Sequence, residues 1–354
     1  MTKISVITLH YIRNYGSVLQ TYATQRKFEL MGYDVDIIDY ARPNIDVNLR
    51  TGLNPIKIFI HNLLDLIQRP FHKKVFDEFL NKYIKLTRHY NSYEDLKADP
   101  PISDIYCVGS DQMWNSEYNQ GILPAYYLDF GDEKTKRISY AVSIGLDAFP
   151  EKEIPQIKQY IQKFYAISVR EASAKKILGE IGYKNVFHIL DPTLDLKKED
   201  WKDMIAPRII KKKYILIYRL NKNRELEKYA KILSEKTGCK IVRMSYWLTQ
   251  FLDSGKMIFT PTVKEFLSLI YYADYVITDS FHGTAFSLNF EKEFFIFYPG
   301  KFNTRIQSLL ELTGTQGRVM SNGIQNYTPI DYTSVRRILD IEREKVNKFI
   351  LTYC

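Results

Sequence analysis

The chain has 354 residues, 45% of them hydrophobic and 26% charged, the make-up of an ordinary globular protein long enough for two domains. Its formal charge of +9, from 50 Lys+Arg against 41 Asp+Glu, is spread along the chain apart from the short run Lys211–Lys213, so it reads as solvated surface rather than a basic nucleic-acid arm. Cys107, Cys239 and Cys354 fall in no CxxC or Cys/His pattern, and no apolar run approaches the ~18–20 residues of a membrane span, which argues against a disulfide framework, a zinc site and a transmembrane protein.

Short β-branched runs alternate with segments of helical period, the signature of βαβ units and parallel sheets. Ile4–Leu9 reads as a buried strand, followed by a helix whose apolar face carries Val18, Leu19, Tyr22 and Ala23 and which Gly32 ends. Val35–Tyr40 is the next strand. Residues 55–86 read as two helices broken at Pro70, part of a helical insertion over about 55–98. Strands follow at Ile105–Val108, Ile138–Ser143, Ala166–Val169 and Val186–Leu190, with helices near 153–164 and 171–181. Asp195–Lys213, charged and containing Pro207, is the linker candidate.

A second series then begins. Strands are expected at Tyr214–Leu220, Lys240–Met244, Tyr275–Thr278 and Phe294–Tyr298, and helices at 224–237, 263–272, 282–290 and 304–313. Tyr332–Leu351 reads as one long helix with a stripe of Val335, Ile338, Leu339, Ile341, Val346 and Phe349. The expected architecture is α/β: a Rossmann-like domain over 1–205, a second over 206–330, facing each other across a cleft, and a terminal helix over 331–354.

In such sheets ligands bind at the C-terminal ends of strands, so the loops there hold the candidate residues. Asn14-Tyr15-Gly16-Ser17 opens the first helix, where Gly16 lets backbone approach a ligand; a plain turn fits equally, and dinucleotide glycine spacing is missing. Asp111 and Trp114, after Ile105–Val108, offer a carboxylate for sugar hydroxyls and an indole for a pyranose face; Asp111 could instead cap the next helix. Arg170 leaves a buried strand as an anion fork or as a partner of Glu171 or Asp191, whose own carboxylate reads best as structural. Thr278–Thr284 is the most informative segment. Ser280 suits an N-cap, Gly283 admits close approach, and His282 at the helix start can bind phosphate or move a proton. Arg305, at a later helix start, is a second anion clamp, and His10 lies at the first strand exit.

The ordered segments ITLHYIRNYGSVLQTYA, VGSDQMWN, ISYAVSIG, ISVRE, DPTL, VITDSFHGTAFSLNFEKEFF and NTRIQSLLELTG, over residues 3–315, resemble the polysaccharide pyruvyl transferase family. The resemblance implies a GT-B-like fold in which the terminal helix packs back on the first domain. It implies phosphoenolpyruvate as donor and co-substrate, with no further cofactor and no metal. The product would be a pyruvate ketal on a sugar or lipid-linked saccharide, in capsule, exopolysaccharide or other surface-glycan synthesis. The protein would be cytoplasmic, with peripheral contact at the inner face of the membrane as an option and no nucleic-acid partner. Donor residues would be Arg170, Ser280, His282, Gly283, Thr284 and Arg305; acceptor residues Asn14, Tyr15, Gly16, Asp111 and Trp114; and catalysis would fall to His282, Asp111 and Arg170. Some family members carry a basic donor-binding residue where this chain has Ser280. The rival readings are a nucleotide-sugar glycosyltransferase of the same fold and a non-catalytic surface or nucleic-acid binder.

Overall fold

The structure, a computed structural model, describes residues 1–43, 55–298, 300, 303–320 and 327–354, with backbone only over 55–61; parts of the expected 1–205 and 206–330 domains fall outside these residues. The first sheet is parallel throughout. Its strands are β1 (Lys3–Ile7), β2 (Asp34–Tyr40), β3 (Leu86–Tyr90), β4 (Ile105–Val108), β5 (Lys136–Val142), β6 (Ala166–Val169) and β7 (Val186–His188), in the spatial order β3-β2-β1-β4-β5-β6-β7. The second sheet holds β8 (Tyr214–Tyr218), β9 (Lys240–Ser245), β10 (Lys256–Phe259), β11 (Tyr275–Thr278) and β12 (Glu293–Ile296), ordered β10-β9-β8-β11-β12 and also parallel. Central strands such as IYCV and YILIY are buried along their whole length, as continuous apolar runs in a sheet covered on both faces must be.

Helices α1 (Tyr15–Leu30), α2 (Pro55–Tyr83), α3 (Tyr93–Ala98), α4 (Ser116–Asn119), α5 (Ile154–Ile161), α6 (Ala172–Glu180) and α7 (Pro192–Asp195) belong to the first half. The second half carries α8 (Arg224–Thr237), α9 (Val263–Tyr271), α10 (Phe281–Asn289), α11 (Thr304–Thr313) and α12 (Tyr332–Tyr353). Among the described residues no helix is long and apolar enough to cross a membrane.

Three expectations need correction. First, α2 runs unbroken through Pro70. Both flanks of the proline are anchored: Gln68 Oε1 accepts the Leu248 N–H at 3.2 Å, and Phe76, Phe79 and Leu80 are buried beyond it. Second, the expected insertion over 55–98 contains β3, an edge strand whose polar LTRHY shows no buried alternation, and α3. Third, α1 is buried well beyond one face, because it lies between the domains. Several of its polar groups are bonded inside, Gln20 Nε2 donating to Thr8 Oγ1 at 2.8 Å and Gln25 Nε2 to Tyr83 O at 3.2 Å. The Asp195–Lys213 segment lies between β7 of the first sheet and β8 of the second and is well packed: Trp201 is fully buried, its ring 5.1 Å from Phe286 and 5.6 Å from Tyr22.

A single apolar cluster joins the two halves, running from Tyr15 and Val18 through Phe266 and Tyr218 to Phe286. Its centre is Tyr15, stacked on Phe266 at 4.4 Å and 14°, an aromatic pair contributing about 0.5–1.5 kcal/mol beyond its buried area. Helix α12 touches both halves. Arg336 pairs with Glu291 at 3.1 Å near its start, and Phe349 and Tyr353 pack on Phe187 of β7 near its end. In its stripe Val335, Leu339, Val346 and Phe349 are buried, but Ile341 faces solvent.

Candidate active site

The exits of β4, β6 and β7 bring three carboxylates around one guanidinium. Arg170 Nη1 donates to Asp191 Oδ2 at 2.8 Å and to Ser110 Oγ at 3.0 Å; its Nη2 lies 3.4 Å from Asp111 Oδ1, and its Nε 3.7 Å from Glu171 Oε2. All four side chains are buried. Asp191 also caps α7, accepting the N–H and hydroxyl of Thr193 at 2.9 and 2.6 Å. Burial pushes its carboxyl up, but Arg170, His282 and the Thr193 hydrogen bonds outweigh that and hold it down at about 2. Glu171 Oε1 accepts Ser143 Oγ and the N–H groups of Ile144 and Gly145 at 2.8–2.9 Å. Sequence reading allowed Arg170 either as a free anion fork or as a partner of Glu171 or Asp191; in this structure it is the partner.

Asp111 is held differently. Its backbone is left-handed, with φ 82°, and it faces Val142, which follows another left-handed residue, Ala141 at φ 54°. Such conformations cost about 1–3 kcal/mol each and cluster where a side chain must be aimed. Ser17 Oγ donates to Asp111 Oδ2 at 2.8 Å, joining the β1 and β4 exits. Burial works against ionisation, but Arg170, His282, Arg305 and Ser17 together keep the Asp111 carboxyl below its ordinary range, so it is an anion at neutral pH. It does not cap a helix; Asn115 caps α4.

The β11 exit faces this cluster. Ser280 caps α10, its Oγ accepting the Gly283 N–H at 3.3 Å. The Thr284 N–H is spent on Ser280 O at 3.0 Å and the Thr284 hydroxyl on the same oxygen at 2.9 Å. The expected phosphate contacts from the Gly283 and Thr284 amides are therefore not available; a helix leaves its first N–H groups free, here those of Phe281 and His282. Gly283 is explained by packing, since a Cβ there would lie 2.5 Å from Thr278 Oγ1.

His282 lies in the seam between the domains. It is 7% exposed, its ring rests on Gly16, and a Cβ at Gly16 would fall 2.0 Å from its Nδ1. Nε2 is buried with no hydrogen-bond partner. Burial pulls the imidazole down to about 4, with the opposing pulls of Asp191 and Asp111 and pushes of Arg170 and Arg305 following, so the ring is neutral at pH 7. Arg305, on α11, and Arg170 both lie near the Phe281 ring, their guanidinium carbons 5.9 and 4.7 Å from its centroid. Arg305 makes no ion pair among the described residues, its Nε is buried without a partner, and Asn303 Oδ1 and Thr304 Oγ1 beside it are likewise unpartnered. Burial, then the charge of Arg170, lowers its pKa to about 10.

Of the acceptor-side residues, Gly16 and Asp111 reach this seam, while Asn14 caps α1 with its Oδ1 on the Gly16 N–H at 2.8 Å. Two are corrected. Tyr15 is buried, its hydroxyl donating to Pro261 O at 2.5 Å, so it ties the domains together instead of facing a sugar. Trp114 is core: it stacks on Tyr127 at 5.2 Å and donates Nε1–H to Tyr126 O at 2.9 Å. His10 is also buried, with Nε2 3.2 Å from Asp39. Sequence reading missed Ser17 and Ser110 as groups that hold Asp111 and Arg170; their position in the same strand-exit segments was the available signal.

A separate cavity of about 1080 Å³ opens beside α12. Its Lys27, Lys197, Arg336 and Arg343 are each paired with a carboxylate. The seam is the better candidate.

The family model described as polysaccharide pyruvyl transferase matches residues 14–300, a span that holds Gly16, Asp111, Arg170 and His282. The chain belongs to the polysaccharide pyruvyl transferase family. It is thus a transferase of polysaccharide pyruvylation, with a sugar or polysaccharide as acceptor. No curated protein sequence matches it. Among solved structures, this pyruvyl transferase is similar to the UDP-GlcNAc 2-epimerase of Methanocaldococcus jannaschii, at TM-score 0.53 and 16% identity over 100% of both chains. The same epimerase in complex with UDP-GlcNAc and UDP gives 0.52 and 15%, over 96% of this chain and 99% of that one. S. aureus MnaA, in a co-structure with UDP, gives 0.51 and 14%, over 98% and 89%. At such identities the likeness concerns the fold: two parallel-sheet α/β domains in the GT-B arrangement.

Proposed function

We propose that this pyruvyl transferase moves the enolpyruvyl group of phosphoenolpyruvate onto a sugar, closing a pyruvate ketal in capsule or exopolysaccharide synthesis. The observation that carries the reading is a pair of buried, unpartnered nitrogens, His282 Nε2 and Arg305 Nε, on the second domain, opposite an ionised Asp111 on the first. Arg305 and the first amides of α10 suit an anionic phosphate or carboxylate. The donor enters as the domains part along the Gly16–His282 contact.

A dianionic phosphate beside His282 reverses the local field, so the imidazole takes up a proton as the donor binds. That proton passes to the donor's methylene carbon. The neighbouring carbon, now oxocarbenium-like, is attacked by one sugar hydroxyl whose proton goes to Asp111. Phosphate leaves with its bonding electron pair, and a second hydroxyl of the same sugar adds to that carbon and closes the ketal, its proton passing to the departing phosphate, which leaves as hydrogen phosphate.

The test is inorganic phosphate release from phosphoenolpyruvate with a panel of galactose-, glucose- and mannose-type acceptors, with UDP-N-acetylglucosamine as the rival donor. Acceptor-dependent release that falls on the order of 10²–10³-fold in His282→Ala supports the proposal. Turnover of the UDP-sugar, with phosphoenolpyruvate inert, would overturn it.

A further inference from the structure

Helix α2 carries apolar side chains on two opposite sides. Phe76, Phe79 and Leu80 are buried against the protein. Leu63, Leu66, Ile67, Pro70 and Phe71, at helical spacing, instead form a stripe facing solvent, with Leu66 68% and Phe71 55% exposed. A water-facing apolar stripe of this kind marks an interaction surface.

The stripe continues into the second domain. His72 Nε2 lies 2.7 Å from Tyr246 O, and the Phe71 ring 5.8 Å from Phe259, which sets the segment Leu248–Leu252 beside α2. That segment presents Phe251, 72% exposed, and Leu252, 95% exposed, next to the exposed Trp247. Cations are interleaved: Arg69, Lys73 and Lys74 are all exposed on α2. Of the acids on this stretch of α2, Asp65 and Asp77 are engaged by Gln68 and Arg13, and Glu78, exposed one turn beyond Lys74, stands against the three cations.

Apolar side chains that can enter the acyl boundary, ringed by cations that meet phosphate headgroups, are the two halves of interfacial membrane binding. We infer that this face, α2 together with Trp247–Leu252, docks on the surface of an anionic lipid bilayer. The contact is peripheral and reversible. It holds Tyr246, whose ring is 6.2 Å from Tyr15, and hence the start of α1, close to the bilayer. There a sugar carried on a lipid would present its hydroxyls; that last step alone rests on the pyruvyl-transfer reading.

Cosedimentation with vesicles tests the docking without any assay of activity. The full chain should pellet with phosphatidylglycerol-containing vesicles at low salt, stay in solution with pure phosphatidylcholine, and be released by high salt. The Leu66→Ser/Phe71→Ser and Phe251→Ser/Leu252→Ser pairs should each bind at least about ten-fold more weakly, with unchanged thermal unfolding, since every substituted side chain is exposed. Lys73→Gln/Lys74→Gln should weaken binding to the anionic vesicles. The inference is overturned if the wild-type chain ignores the anionic vesicles, or if the apolar variants bind undiminished. It also fails if the same substitutions split a solution dimer with no vesicle binding, because the face then belongs to a second copy.

Discussion

The two sides of the interdomain seam are built from similar residue types and finished differently. On the first-domain side, the Arg170 Nη groups are held by Asp191, Ser110 and Asp111, its Nε and Glu171 Oε2 form an ion pair at 3.7 Å without a hydrogen bond, and the carboxylates are in turn held by Thr193, Ser17 and backbone N–H groups. On the second-domain side, His282 Nε2 and Arg305 Nε are buried with no partner. A buried polar group without a hydrogen bond costs about 1–3 kcal/mol, so a fold that leaves several together is shaped for something that completes them. One guanidinium is ringed by carboxylates; the other has no ion pair among the described residues.

The largest effect should come from breaking the closed side. Arg170→Ala leaves Asp111, Glu171 and Asp191 buried around a missing charge and should cost about 3–5 kcal/mol in urea unfolding. Arg305→Ala, which removes an unpaired charge, should alter stability by less than about 1 kcal/mol. Equal destabilisation by the two variants would erase the distinction.

Next is pH. His282 stands at about 4 in the folded chain against an ordinary 6.5, so the unfolded chain binds the extra proton. Its contribution is complete above 6.5 and is lost as pH falls toward 4, roughly 3 kcal/mol in all. Asp191, at about 2 against 3.8, loses its contribution only below that window. The His282→Gln variant should therefore show a flatter stability profile between pH 6.5 and 4 than the wild type. Matching slopes would mean the ring is not the titrating group.

The smallest effect tests the contact between the sides. Gly16→Ala pushes a methyl into the imidazole and should cost about 1–3 kcal/mol, with much of that recovered in Gly16→Ala/His282→Ala, where the obstruction is gone. Additive losses in the double variant would place the two residues out of contact.

Sequence pattern made the βαβ order legible because buried parallel strands are apolar along their whole length, as in β4 and β8. The edge strands β3 and β10 escaped for the same reason reversed: LTRHY and KMIF are short, partly exposed and carry polar residues. In the site, residue type and strand-exit position pointed to His282, Asp111, Arg170 and Arg305. What they could not show is who satisfies whom. Whether Arg170 is free or paired depends on Asp191, 21 residues away, and whether Trp114 faces a sugar or the core depends on Tyr126 and Tyr127, which pack around it. Those are three-dimensional facts.

The account stands most directly on donor binding at the open side. Isothermal titration of phosphoenolpyruvate into the wild type and Arg305→Ala reads it without turnover. A charged hydrogen bond contributes about 1.5–3 kcal/mol, so the variant should bind on the order of 10- to 100-fold more weakly while unfolding at the same urea concentration. An unchanged Kd would contradict the placement of the anion at His282 and Arg305.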